Sequence, residues 1–375
     1  MAEALRRAGR ATFSETSFLG PLKRLLQSYR NEADLSATGR YATRFDIMRC
    51  LANRLRLDAA EDENPAITDA AIRAPIFITG LPRSATSFLH ALLSLDPDNA
   101  VPRCWRLIHP YPPAMMAFWY KTQVEFQLFL YRCLTPGLAG LHHLSADEPQ
   151  ECTDITAHCF QSLRFDSTHH VPSYQAWLDA HGHDDAFRFH RRFLQHLEAQ
   201  EPGHHWILKS PDHVFALDAI RKIYPDARIV FLHRDPLSVV ASCSKLAELL
   251  RRSFARRIDR VQVGRQVSTR LIEGTQRMMQ AASASDDILH LHYRDVVSAP
   301  LETVRKLYAH SGRRLGTEGE RRIESWLARP KRRPHRPYRL SDFGLDAGAL
   351  SERFAPYKAY FDIKAERSLA DYYAA

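Results

Sequence analysis

One segment, from Pro75 to Leu93, constrains the fold of this chain more than any other. Its sequence, PIFITGLPRSATSFLHALL, begins with apolar strand residues, passes through a short loop of small and hydroxyl residues and ends in an amphipathic helix pattern. The first turn of a helix carries backbone N–H groups without intrahelical partners and a partial positive charge from the helix dipole. The segment therefore predicts an anion site where the helix begins.

The loop departs from an ATP- or GTP-binding P-loop at one decisive position. In the pattern GxxxxGKS/T, the lysine contacts the β- and γ-phosphates and the following hydroxyl binds magnesium. Counted from Gly80, Ala85 stands at the second glycine and Thr86 at the lysine. The sequence keeps a phosphate cradle and lacks the lysine. This argues against a P-loop nucleotide kinase, which stays open as an alternative.

Strand and helix patterns alternate in the rest of the chain. Short apolar runs at 76–79, 206–208, 228–232 and 288–291 precede helical patterns, the last three of them at 214–223, 237–250 and 301–308. This alternation predicts an α/β fold with a mostly parallel sheet that helices cover on both faces. Ligands of such sheets bind at the carboxyl ends of the strands. The segments after Thr79, Leu208 and Leu232 should therefore converge on one site.

The remaining segments have helical patterns. We expect an N-terminal helical segment over 1–70 that packs on the core, an α/β domain over 71–375, and within it a helical insertion over 99–205 without strands. The apolar stretch 114–134 is broken by polar and charged residues, so no transmembrane segment is predicted. Aromatic residues of the insertion are predicted to form helix core; the alternative is the wall of a site for a ligand with an apolar body. They are Tyr111, Phe118, Trp119, Tyr120, Phe126 and Phe129.

Charge and cysteine content limit the kinds of ligand and the cellular compartment that suit this chain. The chain has 52 Lys and Arg against 43 Asp and Glu, and this net charge of +9 suits an anionic ligand, nucleic acid or an acidic membrane surface. The six cysteines contain no CxxC pair, which argues against a zinc cluster or a secreted disulfide framework. The N-terminus has no secretory signal pattern. These features favour a reducing cytoplasm.

Two further segments follow predicted strands. LKSPDH places Lys209, Ser210 and His213 at one strand end, and FLHRDPLSVVASCSKL places Arg234 at the next, with Ser242 eight residues later. Asp235 and Pro236 are residues typical of a helix start, so Ser242 falls about two turns into that helix. An arginine can bind two oxygens of a phosphate at once, and a nearby hydroxyl adds a donor. A second phosphate site is predicted here.

These residues resemble the sulfotransferases that use 3'-phosphoadenosine 5'-phosphosulfate (PAPS). The loop PRSATS resembles the family's 5'-phosphosulfate loop, Pro-Lys/Arg-Ser-Gly-Thr-Thr/Ser, and Arg234 with Ser242 matches its 3'-phosphate signature. ADEPQE at 146–151, HYRD at 292–295 and KRRPHRPYRLSDFGL at 331–345 resemble the bacterial branch. The resemblance extends from about Pro75 to Tyr357. It implies a P-loop NTPase-like three-layer sandwich in which residues 99–205 lie on the acceptor side.

The same resemblance implies the activity and its ligands. The chain would move the sulfuryl group of PAPS to a hydroxyl, less readily an amine, of a small-molecule, lipid or sugar acceptor and release 3',5'-ADP. No metal and no nucleic acid are expected to take part, and a homodimer is compatible with the family. Residues implied to bind PAPS are Gly80, Pro82, Arg83, Ser84, Ala85, Thr86, Ser87, Arg234, Ser242, Tyr293, Lys331 and Arg336.

The resemblance also suggests the catalytic groups. Arg83 and Lys209 are the candidates for the cationic roles. Related sequences place a glutamate shortly after the loop helix. Here that region reads AVPRCWRLIHP, which contains Arg103 and Arg106 and no acidic residue. A histidine with a pKa near ~6.5 can accept a proton without special tuning. The candidate bases are therefore His213 and Glu148, then Glu151, with His90 and His109 behind them.

Departures from the family's pattern lead to two expectations. Ala85 stands at the glycine of the family's loop, so we expect its φ to be negative. The missing glutamate keeps a catalytically inactive nucleotide-binding scaffold open as an alternative function. The basic stretch around Lys331 suits a loop that closes over a polyphosphate, or else a basic patch for nucleic acid or lipid.

Overall fold

A central parallel sheet organises the chain. The computed structural model describes residue 5 and residues 12–112, 114–135, 137, 144–329 and 338–367. The strands lie in the order β2-β3-β1-β4-β5, and every neighbouring pair is parallel. Their bounds are β1 (Ile76–Gly80), β2 (Asn99–Ala100), β3 (His205–Lys209), β4 (Arg228–His233) and β5 (Leu289–His292).

Helices connect and cover these strands. Single 3-10 turns occupy Pro65–Asp69, Ala114–Met116, Ala157–Cys159, Pro211–Phe215 and Ser341–Phe343. The α-helices within the described residues are α1 (Leu19–Asn31), α2 (Ala37–Glu63), α3 (Thr86–Leu93), α4 (Cys104–Ile108), α5 (Ala117–Leu134), α6 (Cys152–Thr156), α7 (Arg164–Thr168), α8 (Pro172–His181), α9 (Asp184–Glu198), α10 (Leu217–Ile223), α11 (Pro236–Arg252), α12 (Arg260–Ala284), α13 (Tyr293–Ser298), α14 (Pro300–His310), α15 (Thr317–Leu327) and α16 (Ala347–Tyr360).

Alternate side chains of the strands enter two separate apolar layers. Ile76 and Ile78 of β1 pack with residues of α3, α14 and α15, whereas Phe77 between them packs with residues of α9 to α12. Successive side chains of a strand point to opposite faces, so a sheet with helices on both faces is apolar throughout. The predicted α/β fold, a parallel sheet within three layers, is confirmed.

The strand register brings the predicted site segments to one edge of the sheet. Gly80 pairs with Leu232, Ile78 pairs with Lys209, and His233 pairs with His292. Because all strands run in the same direction, the residues that follow β1, β3, β4 and β5 emerge on the same side. The predicted convergence is therefore present in the fold.

The N-terminal helices pack against the helices that follow α5. Phe18 and Leu25 lie in one buried cluster with Phe160 and Tyr174. Gly39 of α2 approaches the turn after α11 so closely that an added Cβ would lie 1.9 Å from the Phe254 carbonyl oxygen. Residues 12–70 are thus tied to the rest of the chain, while the division into segments 1–70 and 71–375 stays a prediction.

Three local expectations were wrong. Asn99–Ala100 forms an edge strand inside the region expected to lack strands, and two residues are too short to give a sequence pattern. The helix expected from Val214 begins at Leu217, after a 3-10 turn. Phe118, Trp119, Phe126 and Phe129 are exposed rather than core, because the buried side of α5 is the one that carries Val124.

Within the described residues, no helix combines the length and the apolar composition that crossing a bilayer requires.

Candidate active site

The loop between β1 and α3 forms a tight anion cradle. Gly80 has a φ of +121°, and a Cβ there would lie 2.3 Å from the Leu232 carbonyl oxygen, so glycine is required where β1 ends against β4. The first intrahelical hydrogen bond of α3 runs from the Leu89 N–H to the Ala85 carbonyl. The N–H groups of Thr86, Ser87 and Phe88 are therefore the ones a helix leaves for an anion.

The backbone at Ala85 corrects one expectation. Its φ is 71° and its ψ is 17°, a left-handed conformation, whereas the sequence led us to expect a negative φ. Arg83 is also left-handed, with a φ of 62°. The chain must turn from a strand into a helix within five residues, and two left-handed positions accomplish that turn. A residue other than glycine in this conformation costs about 1–2 kcal/mol.

Some side chains of the loop are buried within it, and others are exposed to solvent. Ser84 is fully buried and its hydroxyl donates to the Leu81 carbonyl, so this side chain fastens the loop to itself. Thr86 is buried as well, whereas Ser87 is exposed and Pro82 is half-buried. Ser84 and Thr86 can therefore offer an anion their backbone N–H groups more readily than their hydroxyls.

Four of the predicted PAPS-binding residues meet beside this loop. Arg83 donates from Nε to the Ser242 hydroxyl of α11 at 3.1 Å. Arg234, between β4 and α11, donates to the carbonyl of Arg83, and its guanidinium lies 3.9 Å from the ring centroid of Tyr293. The two predicted phosphate sites are thus neighbours, and Arg83 contacts residues of the second.

Glu366, which we did not single out from the sequence, also reaches this cluster. Its two carboxylate oxygens accept from Nε and Nη2 of Arg234 at 2.7 and 2.9 Å, and its backbone N–H donates to Asp235 at 3.2 Å. Arg294 donates to the neighbouring Ala365 carbonyl at 2.9 Å. The carboxylate thereby uses the two-oxygen binding geometry that we had expected for a phosphate. A contact across 132 positions leaves no local sequence signal.

Lys209 is a buried cation at the end of β3. Its side chain is only 2% exposed, and Nζ donates to the Ser87 hydroxyl at 3.1 Å and to Glu151 Oε1 at 2.6 Å. Ser87 belongs to the first turn of α3, and Glu151 directly precedes α6. An ammonium group, a helix start and a partly exposed carboxylate therefore lie side by side.

The other candidate bases lie in different surroundings. His213 is buried against the rings of Phe77 and Phe187, and neither ring nitrogen has a hydrogen-bond partner among the described residues. Burial holds the pKa of His213 well below its usual value, and the nearby His190 and Lys209 add to this effect. The imidazole is therefore neutral at neutral pH, and its ring packs among apolar aromatic side chains.

Glu148 lies in a groove that is open to solvent. Its neighbours there include Ser94 near the far end of α3, Arg103, and Arg321 and Arg322 of α15. The groove residues from α3 and its end are Ala91, Ser94 and Leu95, which follow the first turn, where Lys209 contacts Ser87.

His90 and His109 serve packing in this structure. Burial lowers the pKa of His90 to about 3, and its Nε2 donates to the Ile207 carbonyl at 3.1 Å. Burial likewise lowers the pKa of His109 to about 4, and its ring packs on Tyr120. Both imidazoles are neutral at neutral pH. The charge of Lys209 also lowers the pKa of His90, so this ring lies near the site, but its Nε2 donates to the backbone of β3.

Asp212 is an acid beside the site that we did not single out from the sequence. It follows Lys209 in the quoted segment LKSPDH and lies on the 3-10 turn Pro211–Phe215. Burial raises the pKa of its carboxyl group to about 7, and the nearby charge of Glu151 contributes to that rise. The carboxyl group therefore titrates near neutral pH next to Lys209.

Two predicted residues, Lys331 and Arg336, lie outside the described residues. Among the residues that are described, no group of three or more His, Cys, Asp or Glu side chains is arranged to hold a metal ion.

A parallel sheet with a strand-loop-helix anion cradle and a neighbouring arginine cluster is typical of α/β proteins that bind anionic nucleotides. Residues 75–316 match the sequence model of the sulfotransferase family. The chain belongs to that family.

Relatives from mycobacteria agree with this assignment. The chain is 26% identical over 252 residues to omega-hydroxy-beta-dihydromenaquinone-9 sulfotransferase Stf3 of Mycobacterium bovis and of Mycobacterium tuberculosis. The alignment covers 64% of this chain and 62% of each relative's length. Among solved structures, sulfotransferase STF9 from Mycobacterium avium matches with a TM-score of 0.87 and 27% identity, over 98% of this chain and 97% of the other. Sulfotransferase STF1 from M. tuberculosis matches with a TM-score of 0.83 and 30% identity, over 95% and 97%.

Proposed function

We propose that this chain transfers the sulfuryl group of PAPS to a hydroxyl group of a lipid-like acceptor. The observation that carries the proposal is the pairing of two anion sites at one edge of the sheet, the start of α3 and the cluster of Arg234 with Ser242. A nucleotide with phosphate groups on both its 3' and 5' sides fits such a pair, and a nucleotide with one phosphate group does not need it.

Each group of the site has a role in holding the nucleotide. The N–H groups at the start of α3 and the guanidinium of Arg83 would bind the 5'-phosphosulfate. Arg234 and Ser242 would bind the 3'-phosphate, with Tyr293 supporting the Arg234 guanidinium from its ring face. Because Arg83 donates to Ser242 and accepts from Arg234, its position depends on the 3'-phosphate residues.

Lys209 is placed to assist the departure of the leaving group. PAPS supplies an electrophilic sulfur and a leaving group that is already good. A buried ammonium group beside the start of α3 stabilises the negative charge that develops on the departing phosphate oxygen. The hydroxyl of Ser87 and the carboxylate of Glu151 orient that ammonium group.

Glu151 is the best-placed base among the candidates, ahead of Glu148 and His213. It contacts Lys209 and its side chain is 29% exposed, so an acceptor can reach it. In the transfer, the acceptor oxygen forms a bond to sulfur while the bond between sulfur and the 5'-phosphate oxygen breaks. The electron pair stays on 3',5'-ADP, and the acceptor proton passes to the Glu151 carboxylate.

The acceptor class is inferred from the relatives. The Stf3 proteins are named for an omega-hydroxy menaquinone derivative, a lipid with a terminal hydroxyl. We extend this class, a long apolar molecule carrying a hydroxyl, to the present chain. A cytoplasmic location and a homodimer stay predictions, which cell fractionation and light scattering can check.

Calorimetry of nucleotide binding tests the nucleotide assignment. We expect 3',5'-ADP to bind without magnesium at least tenfold more tightly than 5'-AMP, and Arg234→Ala to abolish that preference. Arg305→Ala removes an arginine from the exposed surface of α14 and serves as the control. Equal binding of the two nucleotides by the wild-type chain would contradict the 3'-phosphate assignment.

A turnover assay tests the reaction itself. PAPS is supplied with hydroxylated lipids, steroids, phenols and sugars, and the products are detected by mass spectrometry. We expect sulfated product with a hydroxylated lipid. Magnesium-dependent ATP turnover would favour a kinase instead, and tight 3',5'-ADP binding without any product would favour the inactive scaffold.

A further inference from the structure

One helix presents an unusually apolar surface to solvent. Within the described residues, seven of thirteen large exposed apolar side chains lie between Met115 and Leu130. Phe118 is 83% exposed and Phe129 is 53% exposed. Contiguous exposed apolar surface on a protein of this kind marks an interaction site more often than chance. We call this surface the α5 face; it consists of Met115, Phe118, Trp119, Phe126, Phe129 and Leu130.

Met115 lies on the 3-10 turn before α5, and the other five residues lie on one side of α5. These five are separated by one, seven, three and one residues, which follows the period of a helix. The opposite side holds Val124, which is fully buried in a cluster with Trp105 and Ala146. Since α5 is anchored by that buried side, the exposed side cannot rotate into the core.

A basic residue of α5 links the helix to a groove lined by arginines. Lys121 of α5 forms an ion pair with Asp147 at 2.8 Å, and Arg103 donates to the Asp147 carbonyl at 2.9 Å. Arg103, Asp147 and Glu148 also line a groove with Arg321, Arg322 and Arg329, and Glu318 forms ion pairs with Arg321 and Arg322. The arginines of this groove outnumber its acids. Aromatic and aliphatic side chains beside basic ones are typical of helices that lie in a membrane interface.

We propose that the α5 face and this basic groove dock on the surface of an anionic lipid bilayer. The apolar side chains would enter the boundary between headgroups and acyl chains, while the arginines would contact phosphate groups. The net charge of +9 acts in the same direction. Docking would bring the chain to the phase that holds a lipid acceptor; this last point alone rests on the proposed function.

Vesicle sedimentation with matched variants tests the docking. Vesicles of phosphatidylglycerol and phosphatidylcholine are compared with vesicles of phosphatidylcholine alone. We expect the wild-type chain to bind the anionic vesicles, and Phe126→Ser or Phe129→Ser to reduce partitioning roughly tenfold each. Phe45→Ser is the control, because Phe45 lies on α2 and is also 53% exposed. It should bind as the wild type does.

Two further measurements test the basic groove and the apolar α5 face separately. Raising the salt concentration from about 0.05 to about 0.5 M should weaken binding, because it screens contacts with headgroups. Binding should shift the tryptophan emission of the wild-type chain to shorter wavelength, and Trp119→Phe should lose most of that shift while it still sediments with vesicles. A shift that survives in Trp119→Phe would overturn the assignment of the face.

Other outcomes would also overturn the docking. The wild-type chain could stay in the supernatant with anionic vesicles, or Phe45→Ser could lose as much binding as Phe129→Ser. Light scattering could instead reveal a dimer that Phe129→Ser converts to a monomer, so that a second copy covers the face. Calorimetry with 3',5'-ADP on the same preparations reports the proposed function independently, since none of these variants touches the nucleotide residues.

Discussion

Arg83 connects the two halves of the site at the scale of single residues. Its backbone is left-handed within the loop, its guanidinium donates to Ser242, and its carbonyl accepts from Arg234. A ligand that draws Arg234 towards a 3'-phosphate would therefore also act on the loop that holds the 5' side. This contact gives a physical reason for the nucleotide to be bound as one unit.

Glu366 should compete with the nucleotide for Arg234. We expect Glu366→Gln to bind 3',5'-ADP about three- to tenfold more tightly, since the amide leaves the guanidinium without its anionic partner. Isothermal calorimetry at low salt measures the change, and binding of 5'-AMP should be unaffected. Glu302→Gln, on the solvent-facing side of α14, is the control. Unchanged affinity for 3',5'-ADP would show that the carboxylate is not in the phosphate position.

Glu151 should be required for turnover but not for nucleotide binding. Loss of a general base lowers the rate by about 10²–10⁴-fold, so we expect Glu151→Gln to lose kcat by that factor and to bind 3',5'-ADP as before. Glu148→Gln is the matched comparison, because it removes an acid from the same ADEPQE segment; it should keep kcat within about threefold. A large loss of kcat in Glu148→Gln with kcat kept in Glu151→Gln would instead identify Glu148 as the base.

Ala85 should tolerate glycine better than its neighbours in α3 do. Glycine relieves a left-handed backbone by about 1–2 kcal/mol and costs about 0.4–1 kcal/mol through the unfolded chain. Ala85→Gly is therefore expected to leave the free energy of unfolding unchanged or to raise it by up to about 1.6 kcal/mol. Ala91→Gly, within α3, should lower it by about 1 kcal/mol. Urea denaturation compares the two, and a destabilised Ala85→Gly would contradict the expectation.

At the scale of elements, the parts of the fold that could be predicted are those with a local sequence pattern. The β1 strand, its loop and α3 were predicted because their signal is local, and β3, β4 and β5 because each apolar run precedes a helical pattern. The strand of Asn99–Ala100 and the exposed α5 face could not be predicted, because pairing and burial depend on distant partners. The same holds for the pairing of Arg234 with Glu366 and for the contact of Lys209 with Glu151.

The contact between α2 and the turn after α11 offers a test of how firmly the N-terminal helices are attached. Gly39→Ala would force a Cβ against the Phe254 carbonyl, so we expect the free energy of unfolding to fall by about 1–3 kcal/mol. A Cβ added at Gly20 of α1 would meet no atom within 4 Å, so Gly20→Ala should be neutral or stabilising by up to about 1 kcal/mol. Equal effects of the two variants in urea denaturation would argue against tight packing.

At the scale of the whole molecule, the burial of neutral imidazoles determines how the free energy of unfolding changes at acidic pH. Burial lowers the pKa of four histidines to about 3, and that of His213 well below its usual value. The four are His90, His158, His169 and His190. In the unfolded chain these groups titrate near ~6.5, so below that pH the unfolded state binds more protons than the folded state.

Stability should therefore fall as the pH is lowered from 7 towards 5. Each of these histidines contributes stability above pH ~6.5 that is lost at about 1.4 kcal/mol per pH unit below it, down to the folded pKa. Asp212 opposes them, because its folded pKa of about 7 makes its own contribution fall as the pH rises from ~4 to ~7. Burial also raises the pKa of Asp154 and of Asp166, so three acids oppose five histidines and the net slope stays positive. Urea denaturation at pH 7 and 5.5 measures the dependence of the free energy of unfolding on pH. His90→Gln can keep the hydrogen bond to the Ile207 carbonyl and removes one titrating group, so it should lower that dependence by about 1.4 kcal/mol per pH unit. Constant or rising stability towards pH 5.5 would mean that these imidazoles are not buried as neutral groups.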